Sequence, residues 1–274
     1  MSEKKIPEPF EALLIILSSF FIILLFILFI SGIMEVIFPQ EEPGENIHLF
    51  YIISGIIFFI LPFFYAKKKD YNLKIVFRLN PVNKKVTILT FIIAVTLSII
   101  VDELDRIIQI FIQIPDWFTY QLQYLIAKTP LDWIIIIFVV IIIASFSEEF
   151  LFRGFLQVAL EKKGDANMAV ILSSVAWTVI HFNPYWAIQI FIMGVIIGFL
   201  AWRTNSIIPA IIVHATNNFI SLIFLNFNLS KHMNWYLLGN HVSPVLLVIC
   251  AFLLVWSIRK LTDLYRAEEQ SNNI

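Results

Sequence analysis

Three otherwise apolar stretches of this sequence contain ionisable and amide side chains. They read SEEFLFR at 147–153, WTVIH at 177–181 and HATNN at 214–218. Charged side chains at the centre of a membrane cost roughly 2.5–3.5 kcal/mol each on insertion scales, so they are usually retained for a function. If these stretches cross a membrane, as argued below, they hold the candidate functional residues.

Helical spacing separates the two adjacent glutamates. Glu149 and Arg153 are four residues apart, so on a helix they share a face and can form an ion pair. Glu148 points about 100° away from that face, because an α-helix has 3.6 residues per turn. Its carboxylate has no cation on its own helix, and we expect it to face a cavity as a general base.

The third stretch places two potential hydrogen-bond donors on one helical face. His214 and Asn218 are four residues apart, a spacing that suits stabilisation of an oxyanion. Each feature also has a structural interpretation, because a Glu–Arg pair, a histidine or an asparagine can simply link helices. Paired acids, an arginine one turn later and histidines in two further apolar stretches together favour catalysis.

These residues resemble the CPBP family of CAAX-prenyl and bacteriocin-processing proteases, also called the Abi family and related to Rce1-type proteases. The first family motif, EExxxR, is matched by Glu148, Glu149 and Arg153. The third motif, HxxxN, is matched by His214 and Asn218. The resemblance covers residues 130 to about 228. Each motif alone is weak, but their order and spacing in consecutive apolar stretches are specific.

The second family motif is FxxxH, and this chain departs from it at one position. His181 matches the histidine, whereas Trp177 occupies the position of the phenylalanine. One aromatic side chain replaces another, so we expect the change to affect ring packing and not the chemistry. Glu149, Arg153 and Trp177 are interpreted as supporting residues.

The resemblance implies an eight-helix fold with a catalytic cavity inside the membrane that opens to the cytoplasm. It also implies cleavage near the C-terminus of a membrane-associated peptide or protein, which is prenylated in the eukaryotic members. By the same resemblance Glu148 and His181 would activate the attacking water. His214 and Asn218 would stabilise the tetrahedral oxyanion.

A divalent metal such as zinc is an alternative to water activated by glutamate alone. Glu148, His181 and His214 could supply three ligands and leave one coordination position open. Asparagine is a poor zinc ligand, and no HExxH sequence occurs in the chain. We therefore favour a metal-independent reaction, with no cofactor assigned.

Other functional classes fit the sequence less well. No Gly-x-Ser and no Gly-x-Gly-Asp sequence is present, which excludes rhomboid-type serine sites and disfavours aspartyl sites. A proton-coupled transporter would be expected to show pseudo-symmetric halves, and none is detectable. The remaining alternative is a non-proteolytic membrane scaffold or bacteriocin self-immunity protein. Only the need for Glu148 separates that alternative from the enzyme.

Membrane-spanning helices must position the candidate residues. Hydrophobic residues form 59% of the chain, charged residues form 14%, and the mean hydropathy is +0.86. Soluble domains average about 45–50% apolar and about 25% charged residues. No basic patch with interleaved aromatic residues indicates nucleic-acid binding. The lipid bilayer is therefore the expected environment.

The apolar runs predict an all-α, polytopic membrane bundle of about eight transmembrane helices. Helices are favoured because open strand edges in lipid would leave backbone groups unpaired. The predicted spans are 12–34, 47–66, 86–112, 132–158, 166–182, 185–202, 206–228 and 244–260. The fifth and sixth are short and could instead form a re-entrant pair.

The chain divides into three predicted parts around the candidate site. Residues 1–130 hold N-terminal transmembrane helices and an interfacial segment. Residues 131–228 form the catalytic core. Residues 229–274 contain the last transmembrane helix and a tail.

Basic residues in the connections predict the orientation in a cell membrane. Most of the 19 lysines and arginines lie in connections on the same side as the N-terminus, including the cluster at 67–85. Such residues are retained on the cytoplasmic side, so both termini are expected in the cytoplasm.

This orientation can be tested with single cysteines. In a Cys250→Ala background, Lys69→Cys should be protected from a membrane-impermeant maleimide applied to intact cells, whereas Lys128→Cys should react. The opposite labelling pattern would reverse the predicted topology. Permeabilised cells provide the control, because both cysteines should then react.

Overall fold

The computed structural model describes residues 6–37, 47–227, 233 and 235–271. In chain order the helices are α1 (Pro9–Ile37), α2 (Ile47–Lys68), α3 (Leu73–Val76), α4 (Lys84–Phe111), α5 (Asp116–Leu122), α6 (Pro130–Glu161), α7 (Ala166–Ile180), α8 (Ala187–Thr204), α9 (Ile208–Phe227) and α10 (Pro244–Ser271). A 3₁₀ turn covers Gln123–Leu125. Strands β1 (Leu237–Leu238) and β2 (His241–Val242) pair antiparallel, with Leu237 opposite Val242.

Seven helices within the described ranges are long and apolar enough to span a membrane. They are α1, α2, α4, α6, α8, α9 and α10, so the predicted all-α polytopic membrane bundle is confirmed. Helix α7 is apolar but has only 15 residues. At 1.5 Å per residue it is about 22 Å long, less than the roughly 30 Å of the hydrocarbon core. The fifth predicted span is therefore short, whereas the sixth, α8, has 18 residues and is counted among the seven.

Helix α6 contains two stretches of wider, π-helical turns. They cover Ile137–Ala144 and Phe150–Leu156, on either side of an α-helical turn at Ser145–Glu149. Hydrogen bonds in such turns run from i to i+5, and π-helical segments often occur at functional sites. The adjacent glutamates therefore lie on the short α-helical turn between two irregular stretches.

Local capping residues explain where the helices around the site begin and end. Thr129 and Asp132 form a reciprocal capping box at the start of α6, which satisfies amides that have no partner inside the helix. Asp165 caps α7 by accepting from the Met168 amide at 3.0 Å. Helix α8 ends at Asn205, which adopts a left-handed conformation with φ of 46°.

The connection between α2 and α4, which is rich in lysine, packs against the end of the bundle. Phe77 is fully buried and stacks on Phe150 of α6 with ring centroids 3.7 Å apart. Gly154 permits this approach, because a Cβ atom there would lie 3.1 Å from the Phe77 Cα. Arg78 is 2% exposed and forms an ion pair with Glu161 at the end of α6. The connection is therefore part of the packed structure.

Polar contacts join α4 to the β-hairpin at the opposite end of the bundle. The Asp102 carboxylate accepts from Arg106 Nε at 3.0 Å and from the Tyr236 hydroxyl at 2.8 Å. Glu103 accepts from the His241 Nδ1 at 2.8 Å and from the Val242 amide at 2.7 Å. These bonds fix the connection before α10 to the end of α4.

Aromatic residues of α5 cover the loop that follows α7. Phe118 lies against Tyr185 and Trp186, with ring centroids 5.5 and 5.0 Å apart. The expected interfacial segment between α4 and α6 is therefore a short helix that packs on the α7–α8 loop.

The buried Phe77 should stabilise the fold strongly. Phe77→Ala is expected to lower the free energy of unfolding by about 3–5 kcal/mol, because it removes a buried ring and leaves a cavity. Phe91→Ala, at a ring 56% exposed on the outer surface of α4, should change it by about 0.5 kcal/mol or less. Equilibrium unfolding in mixed micelles measures both. Equal losses would show that Phe77 does not contribute to the core.

Candidate active site

Three helices bring the predicted residues together. Helix α6 carries both glutamates and Arg153, α7 carries Trp177 with His181 directly after its last residue, and α9 carries His214 and Asn218. Helix α8 packs against α7 and α9 and supplies backbone carbonyl groups to the site. The site is thus assembled from four consecutive helices.

Glu149 is the buried ionic centre of the site. Its side chain has 0% exposure, and Oε1 accepts from Arg153 Nη1 at 3.0 Å and from His214 Nδ1 at 2.8 Å. An ionised carboxylate only accepts hydrogen bonds, so His214 Nδ1 carries a proton. The contact with Arg153 agrees with the predicted geometry, whereas the contact with His214 was not predicted.

Arg153 connects this centre to the neighbouring helices. Its Nη2 donates to the Gly194 carbonyl of α8 at 3.4 Å. Its guanidinium lies over the Trp177 ring of α7, 4.3 Å from the ring centroid. Cation–π contacts are strongest when both groups are desolvated, and both side chains are buried here.

Glu148 points away from Glu149 and contacts α7. Its Oε2 accepts from the Trp177 Nε1 at 2.7 Å and lies 3.9 Å from the His181 Nε2. The side chains of Glu148 and His181 are 17% and 29% exposed, in contrast to that of Glu149. The two adjacent carboxylates therefore have separate partners and separate access to their surroundings.

The hydrogen bond of His181 fixes its tautomer. Nδ1 lies 2.7 Å from the Trp177 carbonyl oxygen, which can only accept, so Nδ1 carries the proton. In the neutral ring Nε2 then has a lone pair, and this atom lies 3.9 Å from Glu148 Oε2. Two acceptors 3.9 Å apart are suited to share a molecule that donates hydrogen bonds, such as water.

Asn218 donates its amide hydrogens to acceptors on α6. Its Nδ2 donates to the Val140 carbonyl at 3.0 Å and to Ser145 Oγ at 3.4 Å. Val140 belongs to the first π-helical stretch, in which the backbone bonding pattern is irregular. Asn218 is therefore on the predicted helix face beside His214, but in this conformation its donors support α6.

The Trp177 ring contacts both histidines of the site. It contacts His181 edge-to-face at 5.0 Å and His214 at 5.3 Å between ring centroids. Gly194 leaves room for the indole, because a Cβ atom there would lie 3.1 Å from Trp177 Cε3. The sequence signal for this arrangement was the tryptophan at the phenylalanine position of the second motif.

The alternative metal ligands do not form a ligand set in this arrangement. In the part of the chain that the structure describes, no three histidine, cysteine, aspartate or glutamate side chains converge closely enough to hold a metal ion. His214 Nδ1 and His181 Nδ1 both make hydrogen bonds, so a metal would reach these rings through Nε2, as is common for histidine ligands. The metal alternative through Glu148, His181 and His214 therefore stays a prediction.

Comparison with known proteins identifies the segment that carries the site. Residues 130–220 match a family model, Rce1-like, described as type II CAAX prenyl endopeptidase Rce1-like. This segment runs from the first residue of α6 into α9 and includes all the site residues described above. The match confirms the family resemblance. No curated protein and no solved structure matches the chain.

Loss of the buried carboxylate should destabilise the fold. Glu149→Gln leaves the Arg153 charge buried without its counter-ion, which is expected to cost about 3–5 kcal/mol. Glu8→Gln changes a surface pair with Lys162 whose side chains are 58% and 40% exposed, and should cost about 1 kcal/mol or less. Unfolding in mixed micelles and membrane protein levels compare the variants. A loss no larger at Glu149 than at Glu8 would contradict the assigned role.

Proposed function

We propose that this chain is an intramembrane endopeptidase of the CAAX type that hydrolyses a peptide bond near the C-terminus of a membrane-associated peptide or protein. The Rce1-like match supports such an activity in general terms, and the apolar helices support a multi-pass membrane protein. The observation that carries the specific proposal is the Glu148 carboxylate facing the His181 Nε2 across 3.9 Å.

In the proposed reaction a water molecule lies between Glu148 and His181. One of its hydrogens is directed to the Glu148 carboxylate and the other to His181 Nε2. Glu148 takes a proton as the water oxygen attacks the carbonyl carbon of the substrate, which forms a tetrahedral oxyanion. When the intermediate collapses, the peptide C–N bond breaks. The proton passes from Glu148 to the leaving nitrogen, and the carboxylate is restored.

His214 is the proposed stabiliser of the oxyanion. When its ring is protonated, Nε2–H becomes a second donor, and Glu149 is the counter-ion at Nδ1. Donors that are already positioned for the developing charge contribute strongly to catalysis in a site that excludes water. Asn218 can join His214 if its amide exchanges the Val140 carbonyl or Ser145 Oγ for the oxyanion.

The substrate is proposed to reach the site from the bilayer or its surface. The site residues lie on α6, α7 and α9 or directly after α7, and α6 and α9 are among the helices long and apolar enough to span a membrane. We further propose a cell-membrane location with both termini in the cytoplasm, because this places the basic connections on the side where they are retained.

The proposal depends on the basicity of Glu148. Glu148→Gln keeps the size of the side chain and an acceptor for Trp177 but removes the base, so kcat should fall by at least about 10²–10⁴-fold. The assay uses purified protein in proteoliposomes and a quenched peptide that ends in S-farnesylcysteine and three further residues. The unfolding midpoint should stay close to that of the unmodified chain.

Glu8→Gln is the matched control. Glu8 pairs with Lys162 at an exposed position, its side chain is 58% exposed, and the same change there should leave kcat unaltered. Full turnover by well-folded Glu148→Gln would rule out the proposed mechanism. If that variant also retained the biological effect without any cleavage, a scaffold or immunity protein would replace the enzyme.

A further inference from the structure

Trp177 contacts Glu148, both histidines of the site and Arg153. Its indole Nε1 donates to Glu148 at 2.7 Å, and its ring lies against both histidines and under Arg153. Its backbone carbonyl also accepts from the His181 Nδ1 at 2.7 Å. No other described side chain is recorded in contact with all of these groups.

The indole is held rigidly. Trp177 is 1% exposed, and a Cβ atom at Gly194 of α8 would lie only 3.1 Å from its Cε3. A donor fixed in this way can impose its own direction on a flexible acceptor. The glutamate side chain has several rotatable bonds, and Glu148 accepts a hydrogen bond from Trp177.

We infer that Trp177 is a positioning residue that orients the Glu148 carboxylate for the proposed hydrolysis. The inference rests on the proposed function. An indole N–H is a donor only, so it can hold Oε2 without accepting the proton that Glu148 must take. Oε2 accepts this bond with one lone pair and keeps another for the proposed water, which lies towards His181 Nε2 at 3.9 Å. Phenylalanine, which occupies this position in the family motif, could fill the space but could not donate.

The packing role of the ring and the role of its N–H can be separated. Trp177→Phe keeps an aromatic face for Arg153 and keeps the backbone carbonyl that binds His181, so it removes chiefly the N–H. Trp177→Leu removes the ring as well. A purely structural Trp177 would affect stability in both variants, and kcat only as far as folded protein is lost.

The test measures kcat, KM and the unfolding midpoint in proteoliposomes with the same S-farnesylcysteine peptide. Trp177→Phe should lower kcat roughly 10- to 100-fold, as expected for losing a hydrogen bond to a charged group that sets the position of the base. KM should change by no more than about twofold, and the midpoint should be nearly unchanged. Trp177→Leu should lower both kcat and the midpoint.

Trp256→Phe is the matched control, since Trp256 lies on α10 with 40% exposure and is remote from these contacts. Its kcat should equal that of the unmodified chain. Wild-type kcat in Trp177→Phe, or a loss that only follows the amount of folded protein, would overturn the inference and leave the proposed function standing. Absence of cleavage by the unmodified chain would overturn both.

Spectroscopy tests the contact without relying on turnover. Ultraviolet resonance Raman difference spectra between the unmodified chain and Trp177→Phe isolate the indole band that reports on its N–H. This band should indicate a strong hydrogen bond and should shift towards a free N–H in Glu148→Ala. An unchanged band in Glu148→Ala would mean that Trp177 does not hold Glu148, and the inference would fail.

Discussion

A buried carboxylate must have partners, and the structure around the site follows from this requirement at Glu149. Removing an ion from water is costly unless hydrogen bonds and opposite charge compensate for it. Glu149 finds both in Arg153 on its own helix and His214 on α9. Arg153 is in turn bound to the Gly194 carbonyl of α8 and to the Trp177 ring of α7. One ionic centre therefore fixes the relative rotation of four helices.

The adjacent residues Glu148 and Glu149 have the same side chain but different roles. Glu149 is fully buried and committed to structural partners, while Glu148 is partly exposed and bound through one oxygen to Trp177. A carboxylate that reacts must be accessible and must keep a lone pair that no structural partner uses. Because the two carboxylates are adjacent on α6, the ion pair of Glu149 fixes the part of the helix that carries Glu148.

Sequence spacing predicted the features that lie within one helix. The pairing of Glu149 with Arg153 followed from their separation of four residues, and the apolar runs predicted the helical spans. Contacts between helices were not predictable in the same way, because a periodic pattern gives a face but not the neighbour that the face meets. For this reason the bonds from His214 to Glu149 and from Trp177 to Glu148 were missed. Asn218 was placed on the correct face, but its preference for the Val140 carbonyl depends on an irregular stretch of α6 that no residue pattern revealed.

The wider turns of α6 also constrain how its length can change. A π-helical turn accommodates one more residue than an α-helical turn over a similar rise. Deleting one residue from Ile137–Ala144 would let this stretch return to α-helical bonding over a similar rise, so Glu148 and Glu149 would keep their directions towards α7 and α9. Deleting one residue from the regular turn at Ser145–Glu149 would instead rotate the residues that follow it by about 100° relative to the start of the helix. The wider turns therefore accommodate a change of length that the turn carrying the carboxylates does not, even though none of the residues in Ile137–Ala144 is acidic or basic.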